Sequence, residues 1–197
     1  MLVGRLGYRL PDLICTALER HLPAPAATVD VLDAGCGTGL CAARRRPLAR
    51  RLVGLDLSSR MVQRRRSAST TSSSSPTSSS GCMRTIVWAP STRSSPDVLV
   101  YFGDLRAPLA AAARALRPGG VLVFTTERRE AVGGGGYALE PSGPLSHEPR
   151  YVEAMAAEAG FETLEFGELS YHVEGGAPVD STLVCVRRAR PSPGPLD

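Results

Sequence analysis

Val31-Leu32-Asp33-Ala34-Gly35-Cys36-Gly37-Thr38-Gly39 decides the fold. The apolar run Val29 to Ala34, broken by Asp30 and Asp33, is too short for a helix of its own. It enters glycine directly, so it reads as a buried parallel strand. Three alternate glycines then let the backbone turn tightly and approach a ligand with no Cβ in the way. Leu40 to Leu48 suits a helix, and Arg51 to Leu57 reads as a second strand that brings Asp56 to its end. The whole is a βαβ unit. An acidic residue about 20 positions past the glycines suits the two hydroxyls of a ribose. A dinucleotide motif would need its third glycine where Leu40 stands, so the pattern Asp-x-Gly-x-Gly-x-Gly argues against that class.

Working outward, Leu13 to His21 places Leu13, Ile14, Ala17 and Leu18 at helical spacing, and the Pro-Ala-Pro after it stops the helix. Ala107 to Leu116 is an alanine-rich helix, followed by a turn at Arg117-Pro118-Gly119-Gly120 and a buried strand from Val121 to Thr126. Pro149 opens a helix to Ala159, which Gly160 ends. Phe161 to Glu174 and Asp180 to Arg188 read as a closing antiparallel hairpin. These elements predict one α/β domain over residues 1–190, with a mostly parallel sheet, and a disordered tail over 191–197.

One stretch breaks the alternation. From Ser67 to Ser80, twelve of fourteen residues are Ser or Thr, where a strand and a helix are needed. A flexible linker in a surface loop is one reading. The favoured one is a pair of compensating frameshifts over about Arg64 to Pro96. In a GC-rich gene the adjacent frame converts Ser69 to Thr77 into an apolar strand capped by aspartate, and turns Thr92 to Pro96 toward valine and alanine.

All 23 basic residues are arginine, which excludes a lysine Schiff base or a phosphate-loop lysine. The net charge of +4 invites a nucleic-acid reading. However, the arginines fall in short runs with no aromatic residues interleaved for base stacking, so a solvated face is the better account. Five cysteines, with no CxxC pair and no Cys/His spacing for zinc, predict no metal site and a reducing compartment. No apolar run approaches a signal peptide's core or a membrane span, so a cytoplasmic protein with no membrane partner is expected.

VLDAGCGTG followed by Leu55-Asp56-Leu57-Ser58 resembles the first two motifs of the class I S-adenosylmethionine-dependent methyltransferases, and Leu116-Arg117-Pro118-Gly119-Gly120-Val121 is similar to the helix, turn and fifth strand of that family. GYRLPDL near the start, Asp97 to Leu105 and Gly136 to His147 resemble small bacterial methyltransferase domains often found behind tetratricopeptide repeats. The resemblance implies a Rossmann-like class I methyltransferase fold, S-adenosyl-L-methionine as cofactor, a methyl acceptor of unspecified class and, as a partner, a tetratricopeptide-repeat protein. It places Gly35, Gly37 and Gly39, with Cys36 and Thr38 between them, under the methionine and ribose. Asp33 would position that turn or the cofactor's amino group, Asp56 would take the ribose hydroxyls, and Leu57 and Met61 would pack near adenine. The family's aspartate after the third strand has no counterpart as written. Asp97, Tyr101 and Glu127, at strand ends, are candidates for substrate or methionine contacts, and His147, in a Gly/Pro/Ser-rich loop with Tyr137 and Glu148, is a candidate base. A degenerate, non-catalytic methyltransferase-like protein and an NAD(P)-binding oxidoreductase are the alternatives.

Overall fold

The strand before the glycines forms where its sequence places it. The computed structural model describes residues 10–22, 29–36, 42–56, 83–88, 98–131, 134–174 and 177–191. Within them, β1 (Val29–Ala34) pairs in parallel with β2 (Ala49–Leu55) on one side and with β3 (Met83–Trp88) on the other. β3 pairs in parallel with β4 (Leu116–Arg128). Two short strands, β5 (Tyr137–Leu139) and β6 (Leu145–His147), form a hairpin. The sheet closes with β7 (Phe161–Glu174) and β8 (Ala177–Arg188), an antiparallel pair whose second strand lies antiparallel against β4. The helices are α1 (Leu10–His21), α2 (Ala42–Arg45), α3 (Arg106–Ala115) and α4 (Pro149–Glu158), with 3-10 turns at Arg46–Leu48 and Val98–Tyr101.

Side-chain alternation along β4 divides the core in two. Val121 and Val123 join Leu183 and Cys185 of β8 and Ile14 and Leu18 of α1 on one face. Leu122 and Phe124 join Val184 and Val186 of β8, Leu109 of α3 and Val152 of α4 on the other. Helices cover both faces, which is why the central strand reads as an unbroken apolar run and not as an alternating one. Gly160, at φ +83°, ends the turn after α4.

Several features depart from the sequence reading. The strand between β1 and β4 is Met83–Trp88, inside the stretch that broke the pattern, in the frame as written. Its Thr-Ile-Val-Trp run has the strongest strand preference in that stretch, a signal the surrounding serines hide. The strand expected over Ser69 to Thr77 and the run Thr92 to Pro96 lie outside the described residues. The second departure is at Arg117–Gly120, expected as a turn, which is a bulge within β4. The β3 register passes from Met83↔Leu116 to Thr85↔Val121, so four residues face one.

The β5–β6 hairpin, which the sequence reading did not foresee, shapes the carboxyl edge. Ser146 of β6 pairs with Glu127, whose other side is held by Ser181 of β8. β6 therefore takes the flank of β4 that β3 vacates after Trp88↔Phe124. The hairpin stands over the carboxyl end of β3.

Candidate active site

Asp33, second from the end of β1, and Arg45, the last residue of α2, form an ion pair with both side chains out of water. They lie on either side of the glycine segment, so the pair ties the strand before the turn to the helix after it. Gly35 holds φ +81°, and a Cβ there would run into the side chain of Val98. The N–H groups of Gly35 and Cys36 both donate to the carbonyl of Leu55, at 2.8 and 2.9 Å. The turn is thereby bound to the last residue of β2, and Asp56 comes out beside it, half-buried. Cys36 is buried. Gly37, Thr38, Gly39, Leu57, Met61 and Asp97 lie outside the described residues.

The 3-10 turn Val98–Tyr101 carries the chain from Gly35 toward the β5–β6 hairpin. Tyr101 is 63% exposed. Next to it, the Phe102 carbonyl accepts a hydrogen bond from His147 Nε2 at 2.8 Å. Sequence composition suggested a loop for His147; it is the last residue of β6 and fully buried. Its ring stacks on Tyr151 at 6.1 Å between centroids and 12° between planes, with Tyr137 at 6.2 Å. Because Nε2 donates, the neutral ring carries its lone pair on Nδ1, which meets no hydrogen-bond partner among the described residues. Burial holds the imidazole below its ordinary pKa, with the carbonyls of Phe102 and Gly103 opposing in part. At neutral pH it is a base, not a cation.

Glycine makes the aromatic cluster possible. A Cβ at Gly103 would strike the Tyr137 ring, and one at Gly136, which holds φ +82°, would strike Tyr151. The Tyr151 hydroxyl accepts from the Leu105 N–H at 3.0 Å and donates to the Gly103 carbonyl at 3.3 Å. That pins α4 to the loop before α3.

Glu127 is buried at the end of β4, flanked in register by Ser146 and Ser181, and Ser146 donates to Glu140. Beside it the hydroxyls of Thr125, Thr126 and Thr182 are buried without hydrogen-bond partners among the described residues, and Thr126 and Thr182 stand opposite one another. A buried hydroxyl left unpaired costs about 1–3 kcal/mol. These polar groups suit a ligand better than a core. The sequence reading missed the threonines, although the change from Val121–Phe124 to Thr125-Thr126 at the strand end was the available sign. Burial raises the Cys15 thiol and pushes Cys185 up to about 12, so neither is a thiolate nucleophile.

Parallel strands thus deliver a glycine turn, an aspartate and a polar-lined edge to one side of the sheet, where open α/β sheets bind ligands. Residues 6–165 match a family model described as methyltransferase domain. The chain belongs to the methyltransferase domain family. It is 37% identical over 124 residues to the malonyl-[acyl-carrier protein] O-methyltransferase of Dechloromonas aromatica, covering 57% of this chain and 42% of that protein. It is 29% identical over 165 residues to the ubiquinone biosynthesis O-methyltransferase of Thiobacillus denitrificans, covering 76% and 71%. The chain spans less than half the length of the first of these relatives. The N-methyltransferase NodS of Bradyrhizobium japonicum, solved with S-adenosyl-L-homocysteine, matches at a TM-score of 0.65 with 19% identity, covering 95% of this chain and 91% of that one. The likeness gives the fold: a Rossmann-like class I methyltransferase sheet, parallel through β4 and closed by the antiparallel β8 and β7. Among the described residues no helix is long and apolar enough to cross a membrane.

Proposed function

We propose that this methyltransferase domain uses S-adenosyl-L-methionine to methylate an acceptor held at the carboxyl edge of β3 and β4. The observation that carries the reading is the pair of hydrogen bonds from the Gly35 and Cys36 N–H groups to the Leu55 carbonyl, which brings the glycine turn and Asp56 together. A side-chain-free surface beside a carboxylate fits a nucleoside whose ribose presents two hydroxyls. Asp56 would accept from those hydroxyls, while Asp33 acts through Arg45 to hold the turn. Gly37, Thr38 and Gly39 would continue the cradle, Leu57 and Met61 would pack near adenine, and Asp97 with Tyr101 would reach the methionine or the acceptor.

When bound, the cofactor supplies a sulfonium methyl with a good leaving group. The protein's task is then alignment and exclusion of water. Both curated relatives carry O-methyltransferase names. A hydroxyl acceptor loses a proton, and neutral His147, with Nδ1 open, is the base we assign to it, with Glu127 and the threonines positioning the acceptor. The link to a tetratricopeptide-repeat partner rests on sequence resemblance alone.

The test is a thermal-shift titration with S-adenosyl-L-homocysteine. A ligand that binds only the native state raises the melting temperature, by about 2.7 kcal/mol of stabilisation at one hundred times Kd. A saturable rise is expected for the wild-type chain and a much smaller one for Asp56→Ala. A rise with NADH in its place would move the chain to the oxidoreductases. Binding of S-adenosyl-L-homocysteine with no turnover on any acceptor pool would make it a degenerate relative.

A further inference from the structure

The opposite, amino-terminal edge of the sheet holds a second concave site. A cleft of about 470 Å³ opens between Val29 at the start of β1, the bulge in β4 and the end of β8. Arg117, Arg187 and Arg190 line it together with His21, and no carboxylate is among its described lining residues. Six residues of β1, at ~3.3 Å each, put this edge ~20 Å from the glycine turn.

Elsewhere on the described surface, several guanidinium groups meet carboxylates: Arg44 with Asp12, Arg106 with Asp104, Arg128 with Glu168. Arg187 and Arg190 make no ion pair among the described residues. Two of the acids next to the cleft are already engaged. Glu165 holds Arg20 and His21 at 2.9 and 3.2 Å, and Asp30 holds Arg50 through two bonds of 3.0 and 2.7 Å. Asp30 also feels the charge of Arg117. Glu162 faces Arg187 in the strand register without pairing with it. The cleft therefore gathers guanidinium groups with no carboxylate among its described lining residues.

Its shape is specific as well. The bulge puts Arg117 out of the β3 ladder, and Gly119 holds φ +76°. A Cβ at Gly119 would come within 3.0 Å of Arg190 Nε, so its absence lets that guanidinium lie against the bulge. Forked N–H donors converging on one cavity match the oxygens of a phosphate, which they bind bidentately.

We propose that this cleft is an anion site that takes a phosphate group, either free or as part of a small phosphorylated molecule. The full chain is titrated with sodium phosphate and, separately, with sodium pyrophosphate, with chloride holding the ionic strength constant, while unfolding is followed by circular dichroism. A saturable rise in melting temperature is expected, absent from Arg187→Gln/Arg190→Gln and kept by Arg114→Gln on α3. A rise with phosphate assigns a single phosphate; a rise with pyrophosphate alone assigns a diphosphate. Arg190→Gln by itself, an exposed substitution, should weaken binding at least fivefold, which keeps the test decisive should the double variant fail to fold. No rise beyond the chloride control, or an equal rise in the Arg190 variants, overturns the proposal.

Discussion

The two edges of one sheet use arginine in opposite ways. At the carboxyl edge Arg45 is fully buried and committed to Asp33, and the pair fixes a turn. At the amino edge Arg187 and Arg190 face a cleft and have no carboxylate partner among the described residues. The same side chain is architecture in one place and an open valence in the other. What differs is water. A buried guanidinium without its partner is too costly to keep, whereas a solvated one waits at little cost for an anion.

That contrast sets the largest expected effect. Arg45→Met leaves Asp33 as an uncompensated buried charge, and breaking a buried pair from one side costs about 3–5 kcal/mol. Chemical denaturation should show that loss, whereas Arg190→Gln should change stability by less than about 0.5 kcal/mol, as surface substitutions do. Asp33→Asn combined with Arg45→Met should recover part of it, since the charge left behind is then gone. Equal losses at Arg45 and Arg190 would erase the distinction between the two edges.

The next effect sharpens the role of the turn. Gly35→Ala must adopt φ +81° and displace Val98, so stability should fall by about 1–3 kcal/mol. Because the turn also forms the proposed cofactor surface, the stabilisation by S-adenosyl-L-homocysteine should shrink beyond what the lower baseline explains. The phosphate response at the amino edge should be unchanged. A variant that loses both responses together would show the edges to be coupled.

The carboxyl edge was the more legible of the two in sequence. Its determinants are local: Gly35 needs its conformation three residues past Leu32, and Asp56 ends a strand one helix later. β1 and the helix opened by Pro149 stand where periodicity and turn chemistry place them, because both elements bury a regular apolar pattern. Met83–Trp88 was hidden by its neighbours, since a six-residue strand carries little periodicity and Ser/Thr-rich flanks outweigh it. His147 was read as a loop residue because Gly136, Pro144 and Ser146 are turn formers in isolation. Its pairing with Tyr137–Leu139 and with Glu127, 19 positions before Ser146, makes that segment a strand. The arginine cleft was invisible for the same reason: Arg117 and Arg190 meet only when β8 returns antiparallel to β4.

The smallest effect concerns His147 and separates burial from charge. Its pKa in the folded chain is below the unfolded value near 6.5 because the ring is out of water. The unfolded chain therefore binds the proton more readily, and stability falls as pH falls from about 6.5 toward the folded pKa. His147 contributes this term in full above pH 6.5 and loses it progressively below. His147→Gln keeps a donor for the Phe102 carbonyl but cannot titrate, so its stability should be flatter with pH between about 6.5 and 5 than that of the wild-type chain. Denaturation midpoints at several pH values read this directly, with Arg190→Gln as a comparison whose small effect stays constant across the same range. A wild-type profile as flat as that of His147→Gln would mean the ring is solvated, and the base assigned to the acceptor would lose the buried environment that keeps it neutral.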